Sequence, residues 1–275
     1  MKQYKKILTI AGSDSGAGAG IQADIKTISA CGGYAMSAIT AITAQNTLGV
    51  KKIFPIPESI IVCQIEAVLS DMGADAIKIG MLHSSELIWA VIETLIRYKA
   101  TNIILDPVMV ASSGDRLLNE NAIYILREEL LPLVNLITPN IPEAEILLGK
   151  KITSADQLED AARELSFNGR VSVLLKSGHL ETDDMTDILY DAHAKKITKI
   201  PGKRIITNNS HGTGCTLSSA IATYIAQGYS MLEAVQKAKL YLTKALQASV
   251  DFKIGKGNGP LNHFFSLAEE NETKL

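Results

Sequence analysis

The sequence predicts an α/β protein in which a central, mostly parallel sheet lies between layers of helices. Short apolar runs of strand length alternate along the chain with longer segments that have apolar residues at helical spacing. Such an alternation is typical of βαβ units, whose helices cover both faces of the sheet. No linker rich in proline or serine and no internal repeat interrupts the 275 residues. We therefore expect a single domain over residues 1–275.

The predicted strands are apolar runs bounded by turn residues. The run at 102–106 contains Ile-Ile-Leu and ends on the acidic residue Asp106. Polar residues interrupt the last two runs, at 186–191 and 196–200, which predicts antiparallel strands at an edge of the sheet. In chain order, strands are predicted at 6–11, 35–44, 75–79, 102–106, 134–138, 171–176, 186–191 and 196–200.

The predicted helices rest on periodicity and on capping signals. In the segment 58–72, Ile61 and Ile65 belong to an apolar stripe at helical spacing. Ser154 and Gln157 have the spacing of a capping box, which predicts the start of a helix. In chain order, helices are predicted at 20–30, 58–72, 85–97, 121–130, from about 142, from about 154, at 214–227 and at 231–247.

Composition excludes several classes of partner. The net charge is −2, so no large basic field exists to neutralise a nucleic-acid backbone. No stretch approaches the ~20 apolar residues that cross a bilayer, and the apolar run after the basic N-terminus is too short for a signal peptide. Cys31, Cys63 and Cys215 are odd in number and widely spaced, which indicates reduced thiols. We expect a cytoplasmic protein without a nucleic-acid or membrane partner.

A glycine-rich loop follows the first strand, where ligands of open α/β sheets bind. Residues 12–20 contain four glycines, but they match neither the dinucleotide fingerprint nor the P-loop. The loop could be a tight structural turn. A ligand-binding loop is favoured because the polar residues Ser13, Asp14 and Asp24 accompany the glycines.

Four further strand-end segments leave two interpretations open each. Gln45 offers a donor and an acceptor, which suits an aminopyrimidine edge, although local sequence favours an ordinary polar loop. Asp106 could meet a metal or phosphate, or could cap a turn. Asn140 and Glu143 lie near a helix start, where an acid stabilises the helix without any function. Lys176 emerges from a buried strand, where it either reaches a phosphate or extends to solvent.

The most specific segment is His211-Gly212-Thr213-Gly214-Cys215, which opens an apolar helix. The two glycines let successive N–H groups converge on an anion at the helix N-terminus, where charge on a transferred phosphoryl group would be stabilised. We expect the helix dipole to lower the pKa of Cys215 from about 8.5, and a shift of about one to two units would bring the thiol into the range of a general base. A glycine turn beside a buried cysteine is the alternative. A Cys/His hydrolase and a zinc site both lack their usual spacing.

Taken together and in order, the motifs resemble the hydroxymethylpyrimidine/phosphomethylpyrimidine kinases of thiamine biosynthesis. The resemblance covers about residues 5–265. It rests on Leu8-Thr9-Ile10-Ala11-Gly12-Ser13-Asp14, Ala17-Gly18-Ala19-Gly20-Ile21-Gln22-Ala23-Asp24, Lys78-Ile79-Gly80-Met81-Leu82, Asp106-Pro107-Val108-Met109, Ile137-Thr138-Pro139-Asn140, Pro142-Glu143-Ala144, His211-Gly212-Thr213-Gly214-Cys215-Thr216, Gly255-Lys256-Gly257-Asn258-Gly259-Pro260 and His263-Phe264. Ala17 departs from a glycine that is common in these kinases, and Ser112 departs from a common lysine.

The resemblance implies a ribokinase-like, three-layer α/β/α fold, usually dimeric. It implies that MgATP phosphorylates 4-amino-5-hydroxymethyl-2-methylpyrimidine and then its monophosphate, with vitamin B6 kinase activity as the alternative. The residue roles that it implies follow. The pyrimidine pocket would contain Gly12, Asp24, Gln45 and Met81. Mg²⁺ and the phosphates would lie near Asp106, Asn140 and Glu143, with Asp106 and Glu143 as metal ligands, and Lys176 and Thr213 would contact ATP. The segment Gly212–Cys215 would form the anion hole, with Cys215 as the base.

Overall fold

The structure, a computed structural model, describes residues 3–109, 118–178 and 185–267. Its strands form one nine-stranded sheet in the order β3-β2-β1-β4-β5-β6-β7-β8-β9. The six strands from β2 to β7 in that order are parallel, and antiparallel pairs close both ends of the sheet. The strands are β1 (Lys6–Asp14), β2 (Tyr34–Asn46), β3 (Gly49–Pro55), β4 (Ala76–Ile79), β5 (Ile103–Leu105), β6 (Leu136–Ile137), β7 (Ser172–Leu175), β8 (Asp187–Asp191) and β9 (Lys196–Ile200).

Helices cover the sheet on both faces. Neighbouring residues of one strand belong to different cores: Ile7 packs with α1, α7 and α8, whereas Leu8 packs with α2 to α6. This separation follows from the two-residue period of a strand and confirms the predicted three layers. No helix among the described residues is long and apolar enough to cross a membrane. The helices are α1 (Gly20–Ala30), α2 (Glu58–Asp71), α3 (Ser85–Arg97), α4 (Glu120–Ile125), α5 (Ile141–Leu148), α6 (Leu158–Leu165), α7 (Thr213–Ala226) and α8 (Met231–Gln247).

The structure corrects the sequence prediction at three elements. Strand β3 was not predicted, because nearly all of its residues are exposed and it lacks the apolar pattern of a buried strand. The helix predicted at 121–130 is helical, but its second half, Leu126–Leu130, is a π-helical turn. The predicted start at Ser154 does carry a capping box, although one 3₁₀ turn, Ala155–Gln157, precedes α6. Ser112, the departure noted above, lies outside the described residues.

Candidate active site

Asp106 and Lys176 form a buried ion pair at the carboxyl ends of parallel strands. Asp106 directly follows β5 and Lys176 directly follows β7, and both strands pair with β6 between them. Their carboxyl ends therefore meet at the same edge of the sheet. Nζ of Lys176 lies 3.1 Å from Oδ1 of Asp106, and the Thr138 hydroxyl donates to the same oxygen at 3.0 Å. The sequence predicted both charged residues, and the structure brings them together.

Both members of this pair are held in their charged forms. Burial alone would raise the pKa of Asp106, but the nearby ammonium groups of Lys176 and Lys78 outweigh it and lower that pKa. Burial alone would lower the pKa of Lys176, but the Asp106 and Glu143 carboxylates outweigh it and raise that pKa. The site thus keeps a fixed positive and a fixed negative charge where water is largely excluded.

Asn140 and Glu143 form the capping box that opens α5. The Glu143 N–H donates to Oδ1 of Asn140 at 2.9 Å, and the Asn140 N–H donates to Oε2 of Glu143 at 2.8 Å. Burial chiefly, and the negative charge of Asp106 in addition, raise the pKa of Glu143 to about 7. Glu143 therefore stabilises the start of α5, and its carboxylate also lies within electrostatic reach of Asp106 and Lys176.

The first turn of α7 packs directly against the ion pair. Gly212 is the N-cap with φ +88°, and a Cβ there would lie 1.8 Å from the carbonyl oxygen of Gly18. A Cβ on Gly214 would lie 3.1 Å from Oδ2 of Asp106 and 3.4 Å from Nζ of Lys176. The Thr213 N–H donates to the carbonyl oxygen of Ser210 at 3.4 Å. Because the first N–H groups of a helix have no intrahelical acceptor, those of Gly214 and Cys215 are available to an anion beside Lys176.

The expected low pKa of Cys215 is wrong. Burial raises the pKa of this thiol to about 11. The positive charge of Lys78 lowers it only in part, because the carboxylates of Asp24 and Asp106 act in the opposite direction. The free-energy cost of removing the thiolate from water exceeds the stabilisation that the helix N-terminus gives it. The thiol consequently keeps its proton at neutral pH.

Asp24 lies in the interior and not on the wall of a cleft. Its Oδ2 accepts from the Thr9 hydroxyl at 2.6 Å and from Nζ of Lys78 at 2.9 Å, and its Oδ1 accepts from the Ser219 hydroxyl at 2.7 Å. None of these four side chains has exposed surface. Lys78 had no predicted role of its own. The signal that could have found it is a lysine between isoleucines in the strand Ala-Ile-Lys-Ile.

Asp14 connects the glycine-rich loop to the loop before α7. Its carboxylate accepts the N–H groups of Gly16, Gly18 and Ala19 at 2.8, 3.0 and 2.9 Å. Its Oδ2 also lies 2.9 Å from Nε2 of His211. Burial alone would raise the pKa of Asp14, but the hydrogen bonds to His211 and to the backbone lower it. Asp14 is therefore ionised and keeps both loops in place.

The residues predicted for the pyrimidine pocket lie in two places. A Cβ on Gly12 would lie 2.8 Å from Cε of Met81, so these two residues face each other. The carboxamide of Gln45 lies 3.3 Å from Nε2 of His211, beside the anion-binding turn. Asp24 lies at neither place, because its side chain is fully buried in the core.

The residues predicted as metal ligands are two carboxylates. The described residues contain no group of three or more acidic, histidine or cysteine side chains that could hold a metal. Asp106 and Glu143 nevertheless suit Mg²⁺, which takes one or two protein carboxylates together with waters and phosphate oxygens. The repulsion that raises the pKa of Glu143 is of the kind a divalent cation relieves.

A mostly parallel three-layer fold, with a glycine-rich helix N-terminus against a buried Asp–Lys pair, defines a phosphotransferase of the ribokinase-like class. The chain belongs to the phosphomethylpyrimidine kinase family, whose sequence profile matches residues 14–262. A hydroxymethylpyrimidine/phosphomethylpyrimidine kinase of Rhizobium meliloti is 48% identical over 94% of this chain and 96% of that protein. A thiamine biosynthesis bifunctional protein of Geobacter sulfurreducens is 47% identical, and the chain spans 53% of its length.

Solved structures of two kinds of kinase resemble this fold. The phosphomethylpyrimidine kinase of Clostridium difficile is 45% identical with a TM-score of 0.78, covering 88% of this chain and 99% of that one. The pyridoxal kinase of Bacillus subtilis, solved as an ADP complex, is 34% identical with a TM-score of 0.87, covering 95% and 98%. These matches confirm the ribokinase-like fold.

Proposed function

We propose that this chain is an ATP-dependent kinase of 4-amino-5-hydroxymethyl-2-methylpyrimidine, which it converts to the monophosphate and then to the diphosphate for thiamine biosynthesis. The observation that carries the proposal is the contact of the first turn of α7 with the Asp106–Lys176 pair, at Gly214. This arrangement presents backbone N–H groups and an ammonium group to one point, as a transferred phosphoryl group requires. Relatives named as this kinase cover nearly the whole chain.

In the proposed reaction, the substrate hydroxyl oxygen forms a bond to the γ-phosphorus while the bond to the bridging oxygen of ADP breaks. The N–H groups after Gly212 and the ammonium of Lys176 stabilise the charge on the transferred group. Thr213 and Asn140 lie at the two helix starts that flank this point and complete the proposed ATP-binding set. The hydroxyl proton goes to a base, and Cys215 is the proposed acceptor.

The raised pKa of Cys215 restricts how it performs this role. A thiol with a pKa of about 11 is a strong base when ionised, but only a small fraction is ionised at pH 7. Phosphoryl transfer has a loose transition state in which the substrate hydroxyl is still largely protonated. A strong base is therefore not required. We therefore assign most of the catalysis to the backbone N–H groups and to Lys176, and a smaller share to the thiol.

We propose that Asp106 and Glu143 hold Mg²⁺, directly or through water. When bound, the ion would supply positive charge that neutralises part of the charge on the phosphates. Asp106 contributes a carboxylate that is ionised at neutral pH. Glu143 contributes a second carboxylate on the first turn of α5, with an orientation fixed by the capping box.

The direct test is incubation of the purified protein with MgATP and the hydroxymethylpyrimidine, with both phosphates followed by mass spectrometry. Lys176→Met is expected to lower kcat at least about a hundredfold, because charge on the transferred group loses its ammonium partner. Lys151→Met removes an exposed lysine and is the matched control. An absence of both phosphates, or equal effects of the two substitutions, would contradict the proposal.

Pyridoxal is the second candidate substrate. The observation that favours it is the likeness to solved pyridoxal kinases, one of which was solved with a nucleotide analogue and pyridoxal. The same assay with pyridoxal in place of the pyrimidine decides between them. A larger kcat/KM for pyridoxal would transfer the assignment to a vitamin B6 kinase.

We propose that the protein forms homodimers in the cytoplasm. Strand β3 is an edge strand that exposes backbone groups together with the side chains of Val50, Ile53 and Phe54. The three cysteines are free, as in a reducing compartment. Light scattering of wild type and Phe54→Asp tests the dimer, and an unchanged mass in the variant would exclude this edge as the interface.

A further inference from the structure

The carboxylate of Asp187 lies against the backbone that directly follows Lys176. Strands β7 and β8 are antiparallel with Leu175 opposite Ile188, so the next residue along, Lys176, lies opposite Asp187. Oδ1 of Asp187 accepts the N–H of Ser177 at 2.9 Å, and both of these side chains are buried. A buried carboxylate thus holds the chain one residue after the lysine that belongs to the proposed phosphoryl-transfer site.

Asp187 is itself held from two sides. It is the first residue of β8, and it pairs with Ile200 of the neighbouring strand β9. Its Oδ2 forms an ion pair with the ammonium group of Lys239 on α8, which also donates to the carbonyl oxygen of Met185 at 3.3 Å. Each carboxylate oxygen therefore has its own partner. Turning the carboxylate away from Ser177 would leave a buried N–H group without an acceptor, which costs free energy.

The backbone of Lys176 is also held on its other side, by the end of β6. The Lys176 N–H donates to the carbonyl oxygen of Pro139 at 2.9 Å, and an isolated bridge pairs Lys176 with Asn140. A charged group is only as well placed as the backbone that carries it. The 3.1 Å contact between Nζ of Lys176 and Asp106 therefore depends on the chain being fixed at positions 176 and 177.

We infer that Asp187 is a positioning residue for the proposed kinase reaction: through the N–H of Ser177 it holds the ammonium group of Lys176 where the first turn of α7 faces it. The inference rests on the proposed function, which assigns Lys176 to the transferred phosphoryl group. Asp187 acts through Lys176 and not on that group itself. Because misplacement of a catalytic group by about 1 Å can cost about a hundredfold in rate, a single supporting hydrogen bond has a measurable effect on kcat.

The other role open to Asp187 is a purely structural one, in which its ion pair with Lys239 attaches α8 to the edge of the sheet. Three variants that all lack the Lys239 ammonium group separate the two roles, because they differ only in the acceptor at position 187. Lys239→Met keeps the carboxylate. Lys239→Met combined with Asp187→Asn offers an amide oxygen to Ser177, and Lys239→Met combined with Asp187→Ala offers no acceptor.

We expect kcat within about threefold of wild type in the first two variants and at least about tenfold lower in the third. The two double variants contain no unpaired buried charge from this pair that would oppose folding. Their comparison decides the matter even where Lys239→Met alone does not fold. Equal kcat values in the two double variants would overturn the inference.

A second measurement asks whether the effect passes through Lys176. In Lys176→Met the ammonium group is absent, so removing the acceptor at position 187 has nothing left to displace. We expect the double variants to differ by less than about twofold in kcat in this background, because two changes that act through one group are not additive. A difference of about tenfold that persists without Lys176 would show that Asp187 acts on the fold as a whole, and would overturn the inference.

Binding without turnover gives a readout besides activity. Calorimetry compares a non-hydrolysable ATP analogue with adenosine, which lacks the phosphates. Removing the acceptor at position 187 should weaken binding of the analogue about as much as Lys176→Met does and leave adenosine unchanged. Equal weakening of both ligands would overturn the inference alone. If Lys176→Met itself changes neither kcat nor binding of the analogue, the proposed function is contradicted and the inference falls with it.

Discussion

Nζ of Lys78 lies 2.9 Å from Oδ2 of Asp24, and both side chains are fully removed from solvent. Burial alone would lower the pKa of Lys78, but the negative charges of Asp24 and Asp106 outweigh it and raise that pKa. The pair joins β4 to α1, and the Ser219 hydroxyl adds α7 to the same carboxylate. The helix that presents the anion-binding turn is therefore fixed to the sheet by buried charges.

Removing one member of this pair should destabilise the fold strongly. Lys78→Met leaves the Asp24 carboxylate buried without its counter-charge, and we expect a loss of about 3–5 kcal/mol in the free energy of unfolding. Adding Asp24→Asn to Lys78→Met should recover part of that loss, because no unpaired charge then remains. Urea denaturation measures both variants.

The control for the buried pair is a surface pair. Lys5 lies 3.7 Å from Asp75 and is half exposed, so Lys5→Met should cost less than about 1 kcal/mol. Equal costs for Lys5→Met and Lys78→Met would show that burial of the second pair is energetically unimportant.

Gly212 should tolerate no side chain. In Gly212→Ala the new Cβ meets the carbonyl oxygen of Gly18, so the two loops must separate and kinase activity should fall at least about a hundredfold. Gly228→Ala is the matched control, because Gly228 has φ +92°, close to the +88° of Gly212, and nothing lies within 4 Å of its added Cβ. Both variants incur about 1–2 kcal/mol of backbone strain. Similar activities in the two variants would refute the steric argument.

His263 should make the protein less stable in mild acid. Burial chiefly, and the positive charge of Lys26 in addition, lower its pKa from 6.5 to about 4. A folded-state pKa below the unfolded value means that the stabilisation is present above about pH 6.5 and is lost as the pH falls through about 4. The difference between the unfolded and folded pKa values of His263 corresponds to about 3 kcal/mol in the free energy of unfolding.

The measurement for His263 is the free energy of unfolding between pH 7 and pH 4, in wild type and in His263→Gln. The glutamine can keep a polar contact with the Thr216 hydroxyl, which lies 3.0 Å from Nε2 of His263. We expect the variant to lose less stability across this range than wild type. Parallel curves for the two proteins would exclude His263 as the titrating group.

Cys215 should react slowly with iodoacetamide at neutral pH. With a pKa of about 11, its thiolate fraction rises about tenfold for each pH unit below that value. The labelling rate, followed by peptide mass spectrometry with the exposed Cys63 as internal reference, should rise in the same way up to pH 10. A plateau near pH 8 would show that the helix N-terminus outweighs burial.

The proposed role of Cys215 in proton transfer makes a separate prediction for activity. If the thiolate accepts the proton, kcat rises with pH above 7, and Cys215→Ser loses that rise together with at least about tenfold in kcat at pH 8. Serine is nearly isosteric and leaves the backbone N–H groups in place. An unchanged kcat and pH profile in Cys215→Ser would leave only the backbone and Lys176 as catalytic groups.

Much of the fold and part of the site could be predicted from local sequence. The buried strands, most helices and the glycine turn at Gly212 and Gly214 have local signals, because hydrophobic period and backbone freedom are properties of neighbouring residues. Strand β3 has no such signal, because it is exposed and exists only through its pairing with β2. The single domain over 1–275 stays a prediction.

The sequence by itself determined the three-layer fold class, the family and the positions of the charged residues at the strand ends. The tertiary structure alone decided what those charges do. Asp14 and His211 are separated by 197 residues, yet together they join the glycine-rich loop to the loop before α7. Lys78 and Asp24 become a buried pair, and the thiol of Cys215 stays protonated because burial outweighs the helix N-terminus. A pKa depends on which distant groups exclude water from a side chain, and only the folded chain brings those groups together.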